Sequence, residues 1–138
     1  MENRRNFLKA SIAVAAGTST ALLSTKILAN SPAFNMPAGI VYTKENPGKW
    51  AKKVGGHAPK VSVNGNKITV ETNHGMSSKH YIVRHTIVTL KGEVLAEKTF
   101  SPDDETALSE FEIKTDEKQL IATSFCNKHD MWAELFSV

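Results

Sequence analysis

"KVSVNGNKITVETN", residues 60–73, sets Val61, Val63, Ile68 and Val70 among alternating polar side chains on either side of Asn64-Gly65. Alternation at period two gives a strand one apolar face, and Asn-Gly suits a tight primed turn. The segment therefore reads as a β-hairpin. The same period continues outward. "HYIVRHTIVTLKGEVLAEKTF" (80–100) predicts a long β-branched strand, a turn at Lys91-Gly92 and a second strand. "ALSEFEIKT" (107–115) and "QLIATSFC" (119–126) predict two more, and "WAELFSV" (132–138) closes the chain. Acidic "SPDDETALSE" (101–110) reads as a solvated loop. "NSPAFNMPAGIVYTKENPGKW" (30–50), with three prolines, reads as an extended leader that docks late on the domain. Helical periodicity is absent beyond the N-terminal segment. The expected fold class is all-β, an antiparallel sandwich or barrel, for which about 100 residues suffice.

The N-terminus has a different character. "NRRNFLK" (3–9) precedes "ASIAVAAGTSTALLS" (10–24), a short apolar stretch rich in Ala, Ser and Thr. A charged start followed by such a stretch is an export-signal pattern, too short and polar to span a bilayer stably. Arg4-Arg5, one further residue, then Phe7-Leu8-Lys9 resembles the bacterial twin-arginine signal. The chain thus divides into a signal, residues 1–29, and one domain, residues 30–138. Cleavage is expected near Ala29 with a periplasmic product; without cleavage the segment would be a membrane anchor. Of the 17 basic and 14 acidic residues, four and one lie in residues 1–29, leaving 13 of each. The domain is therefore neutral, and nothing in its charge supports a nucleic-acid partner.

Twin-arginine export carries folded proteins, many already loaded with a cofactor, so a metal site is a natural expectation. Cys126 is the only cysteine, which excludes an internal disulfide. The domain holds His57, His74, His80, His85 and His129. All but His85 fall in loops or at strand edges, where the end of a β scaffold can gather them. His85 lies within a strand, five residues after His80, and faces the opposite side. Thiolate with imidazole suits iron, copper or zinc, whereas calcium and magnesium prefer oxygen. Four His and one Cys exceed the usual structural zinc set. Five donors leave one octahedral position open, which suits a redox iron that binds a small oxygen species.

These spacings resemble the superoxide reductases, the family of neelaredoxin and the catalytic domain of desulfoferrodoxin. The residues that carry the likeness are His57-Ala58-Pro59 ahead of Val61, the His-x5-His of His74 and His80, and "LIATSFCNKHDMW" with Cys126, Asn127, His129 and Trp132. The likeness covers roughly residues 50–138. It implies an immunoglobulin-like β-sandwich with one mononuclear non-haem iron, four equatorial histidines (His57, His74, His80, His129) and axial Cys126. It also implies one-electron reduction of superoxide to hydrogen peroxide with an external redox protein as donor. The chain departs from the family pattern where Glu-Lys commonly precedes the first histidine. Here Gly55 and Gly56 stand there, so positive charge to steer superoxide would come from Lys52, Lys53, Lys60, Lys79 or Lys128. Asp130 stands where Gly commonly follows the last histidine, adding negative charge near the site. The four-cysteine iron module of desulfoferrodoxin is absent.

Other readings stay open. An exported blue-copper carrier would use Cys126, His129 and Met131 but leave histidines idle. A non-catalytic iron-binding or sensor protein could keep the same site. A cysteine hydrolase lacks a nucleophile context or a third orienting group. Both a monomer and a homo-oligomer are compatible with the sequence.

Overall fold

The computed structural model describes residues 36–138, so the expected signal lies outside the described residues. The strands are β1 (Val41–Tyr42), β2 (Lys60–Asn64), β3 (Lys67–Thr72), β4 (Ile82–Thr89), β5 (Val94–Thr99), β6 (Ala107–Glu112), β7 (Gln119–Cys126) and β8 (Asp130–Ser137). They form a five-stranded sheet ordered β1-β8-β7-β4-β5 and a three-stranded sheet ordered β2-β3-β6. The fold is the expected all-β sandwich. Its neighbouring strands run antiparallel except for β1, which pairs parallel to β8.

Burial follows the alternation in the sequence. Ile68, Val70 and Thr72 of β3 point inward, as do Leu120, Ala122, Ser124 and Cys126 of β7. Ile68, Val70, Ile87, Leu120 and Ala122 make one core cluster, and Ile82, Phe100, Ala107 and Cys126 make another. Tyr42, Ala58 and Trp132 form a third beneath the segment that leads into β2. Cys126 therefore ends the inward row of β7.

Three local expectations need correction. The leader is not extended throughout: Gly48–Lys53 is a 3-10 segment that runs into the single-turn helix α1 (Val54–His57). Ten residues that include Gly48, Gly55 and Gly56 are too few to show a helical period, and this stretch is held by tertiary contacts. Trp50 and Val54 pack on the cluster of Tyr42, Ala58 and Trp132. The first hairpin turns at Gly65–Asn66, because Asn64 pairs with Lys67; Gly65, with φ +60°, takes the first position of the turn. The long central strand begins at Ile82 and not at His80, which instead bridges to Ser77.

A β-bulge decides where His85 points. The register shifts between Ile82 and Arg84 against β7, so that His85 faces inward although Ile82, three residues earlier, is also buried. His85 is fully buried. Its Nε2 lies 2.9 Å from Thr72 Oγ1 and its Nδ1 2.8 Å from Ser109 Oγ, while Thr72 Oγ1 lies 2.8 Å from Ser124 Oγ. These four residues, two from each sheet, tie the layers together by hydrogen bonds and satisfy one another in the dry interior.

Burial, reinforced by the Lys98 charge, lowers the His85 pKa from 6.5 to about 4. The neutral ring is the folded form, so its stabilisation is complete above the unfolded pKa and is lost as pH falls toward the folded one. Between pH 7 and 4.5 the wild type should lose about 2–3 kcal/mol through this ring. Urea denaturation of wild type and His85→Gln across that range checks this; equal losses in both proteins would contradict it.

Candidate metal centre

Four imidazoles and the thiol meet at one end of the sandwich. His57 is delivered by the end of α1, where Ala58 N–H closes the turn on the Val54 carbonyl, 3.0 Å away. His74 lies two residues past the end of β3, and its N–H donates to the Thr72 carbonyl at 2.7 Å. His80 is fixed by two backbone bonds to Ser77, each 3.1 Å. His129 lies in the turn between β7 and β8, its carbonyl accepting from Trp132 Nε1 at 2.9 Å.

The ring nitrogens form a chain of close contacts. His57 Nε2 lies 2.9 Å from His129 Nδ1, which lies 2.9 Å from His80 Nε2, which in turn lies 3.1 Å from His74 Nε2. Cys126 Sγ is 3.7 Å from His129 Nδ1, and the ligand atoms of His57, His74, His80 and Cys126 all fall within 4.8 Å of one another. Two nitrogens 2.9 Å apart and at right angles about a common centre lie about 2.1 Å from it, which is the usual metal–imidazole distance of about 2.0–2.1 Å. The spacing therefore suits nitrogens that share one ion.

Protonation agrees with that fit. The Lys53 carbonyl can only accept, so His57 Nδ1 donates to it at 2.9 Å and the lone pair of Nε2 turns toward the other rings. Burial lowers the His57 pKa to about 4 and also lowers those of His74, His80 and His129. Like-charge repulsion among the rings adds to this for His57, His80 and His129. His74 Nδ1 is buried without a hydrogen-bond partner among the described residues. Cys126 is buried and accepts from the Lys128 N–H at 3.5 Å.

The supporting contacts include residues whose roles the sequence did not reveal. Asn127 Oδ1 accepts from Tyr81 N–H at 3.0 Å, and its Nδ2 donates to the Lys79 carbonyl at 3.2 Å, tying the His129 turn to the His80 loop. Trp50 meets His129 edge-on, ring centres 4.6 Å apart. Asp130 accepts from Trp50 Nε1 at 2.9 Å and pairs with Lys49 at 3.4 Å. The Trp50 bond first, and Lys49 after it, hold the Asp130 carboxyl below its ordinary range. This explains Asp130: its charge is partly matched by Lys49, and its φ of 65° puts it where glycine or a short polar residue is tolerated.

The lysines named from sequence divide. Lys53 and Lys128 lie close enough that their charges lower the pKa of His80 and His129, and Lys53 also acts on His74. Lys79 contributes its carbonyl to Asn127, and Lys60 lines a 310 Å³ surface cavity with Lys44, Val54 and Glu134. His85 is held away from the cluster by Thr72 and Ser109. A Cβ at Gly55 would meet nothing within 4 Å, and one at Gly56 only the Asn73 carbonyl at 3.4 Å.

Residues 49–135, well over half of the chain, match the family model of desulfoferrodoxin. The chain belongs to the desulfoferrodoxin family. Residues 3–21 match the model of twin-arginine translocation signals. No curated relative matches the chain in sequence. Among solved structures, a single-substitution variant of the superoxide reductase (neelaredoxin) from Ignicoccus hospitalis is 21% identical with TM-score 0.65, covering 75% of this chain and 98% of that one. The superoxide reductase (1Fe-SOR) from Giardia intestinalis is 22% identical with TM-score 0.55, covering 59% and 97%. The superoxide reductase from Treponema pallidum is 30% identical with TM-score 0.50, covering 58% and 66%. A desulfoferrodoxin-type domain implies an iron centre, and the His and Cys cluster is able to bind a metal.

Asp130→Ala and Asp130→Gly both remove the Trp50 bond, but only alanine opposes the left-handed backbone. Chemical denaturation should find Asp130→Ala less stable than Asp130→Gly by about 1 kcal/mol. Equal stabilities would contradict it.

Proposed function

We propose that residues 30–138 form a superoxide reductase domain, exported to the periplasm by the twin-arginine route. His57, His74, His80, His129 and Cys126 would hold one mononuclear iron in it. The observation that carries this reading is the 2.9–3.1 Å spacing of the imidazole nitrogens beside the buried thiol. Iron held there supplies the one-electron couple that turns superoxide and two protons into hydrogen peroxide, and an external redox protein restores the electron.

The chain's own groups do the rest. The Lys53 carbonyl fixes the His57 tautomer, and Asn127 and Ser77 fix the loops of His80 and His129. The Lys53 and Lys128 ammonium groups give the mouth of the site a positive potential that gathers a small anion. Gly55, at the position where the family commonly carries glutamate, has no side chain and so brings no carboxylate that could compete with the anion. A blue-copper site of two histidines, one cysteine and a weak axial ligand leaves two of these crowded imidazoles without a role.

The ligand reading is tested by spectra of iron-loaded variants. Cys126→Ser should abolish the sulfur-to-iron charge-transfer band, while His85→Gln keeps it; a band that survives in Cys126→Ser refutes the site. The activity is tested by pulse radiolysis of the reduced protein. Its reaction with superoxide should be far faster than that of free ferrous iron, and an equal rate would refute the reductase reading. Replacing Lys53 and Lys128 together by Gln should slow that reaction about tenfold at low ionic strength and flatten its salt dependence.

A further inference from the structure

A reductase of this kind must take its electron from another protein, and the cluster is not equally reachable from all sides. Cys126 is 1% exposed and His57 4%, so neither offers an outer edge. His74, His80 and His129 are each half-buried, and His129 has an aromatic neighbour that leads outward. The half-buried Trp50 lies edge-on against its ring, 4.6 Å between centres, and reaches from it toward solvent. Trp50 is not free to drift, since Asp130 accepts from its indole N–H at 2.9 Å.

The surroundings of Trp50 are basic. Residues 44–60 contain Lys44, Lys49, Lys52, Lys53 and Lys60 against Glu45, with Lys44 paired to Glu134 and Lys49 to Asp130. Lys49 Nζ stands 4.9 Å from the Trp50 ring centre, and Lys52 is exposed with no ion pair among the described residues. Asp130, the acid beside Trp50, is occupied by the indole and by Lys49. A half-exposed aromatic anchored among cations has the composition of a protein-binding hot spot, and its charge selects an acidic partner.

We propose that Trp50, with Lys49 and Lys52, is the docking surface for a small acidic one-electron donor protein, the electron passing through the Trp50 edge to His129. The inference rests on the reductase reading. In the transfer the reduced donor loses one electron and the oxidised centre gains it; no bond forms or breaks and no proton moves.

The test uses a plant-type [2Fe–2S] ferredoxin as the acidic probe and a basic c-type cytochrome as its opposite, with the iron-loaded protein. Titration calorimetry at low ionic strength should show ferredoxin binding to the wild type. Lys49→Glu with Lys52→Glu should weaken it at least about tenfold while strengthening cytochrome binding. Lys52→Glu alone leaves the Asp130 pair intact and should weaken binding in the same direction. Trp50→Leu should weaken ferredoxin binding at least about tenfold and, at saturating ferredoxin, accept its electron at least about tenfold more slowly in stopped-flow mixing. No ferredoxin binding, an unchanged Kd after charge reversal, or an unchanged transfer rate in Trp50→Leu would overturn the proposal. Pulse radiolysis of pre-reduced wild type decides the reductase reading separately, because it needs no donor.

Discussion

Ring nitrogens held 2.9–3.1 Å apart are the constraint around which this end of the molecule is built. Protonated imidazoles would repel one another at that distance, and neutral ones would waste lone pairs in a place half closed to water. The fold resists both outcomes. Burial and mutual repulsion keep the rings neutral, and the Lys53 carbonyl decides which nitrogen of His57 faces inward. The four rings arrive from four separate parts of the chain, so each needs its own brace. Those braces are the α1 turn, the Thr72 carbonyl, Ser77, and the Trp132 and Asn127 side chains.

The thiol is braced differently. Cys126 is the last inward residue of β7 and packs in the core with Ile82, Phe100 and Ala107. A strand embedded between β4 and β8 is among the most rigid supports the fold has, and loops of histidines close over it. Charge is arranged in the same plan. The sulfur lies inside, the lysines lie outside, and Asp130, the acid beside the site among the described residues, is bound to Trp50 and Lys49.

Much of this was legible in the sequence, for physical reasons. Strands β3 and β7 have one buried face each, so their apolar residues alternate visibly, and Cys126 falls in phase with Leu120, Ala122 and Ser124. The five candidate donors stood out because imidazole and thiolate are rare and chemically distinct, and the structure brings all five together. What the sequence hid depends on distant partners. The helical stretch from Gly48 to His57 is too short for a period and is held by Trp50, Val54 and Asp130. The two-residue β1 owes its existence to β8. The inward turn of His85 follows from a bulge at Val83, which only the pairing with β7 defines. Asp130 reads as an unfavourable charge until its backbone angle and its two partners are known.

The central claim is that four imidazoles and one thiolate share a single iron. Iron K-edge X-ray absorption of the purified protein measures the donor set without reference to any reaction. One sulfur scatterer together with the multiple-scattering pattern of about four imidazoles is the predicted result. A shell of nitrogen and oxygen with no sulfur, in a protein that carries stoichiometric iron, would contradict it.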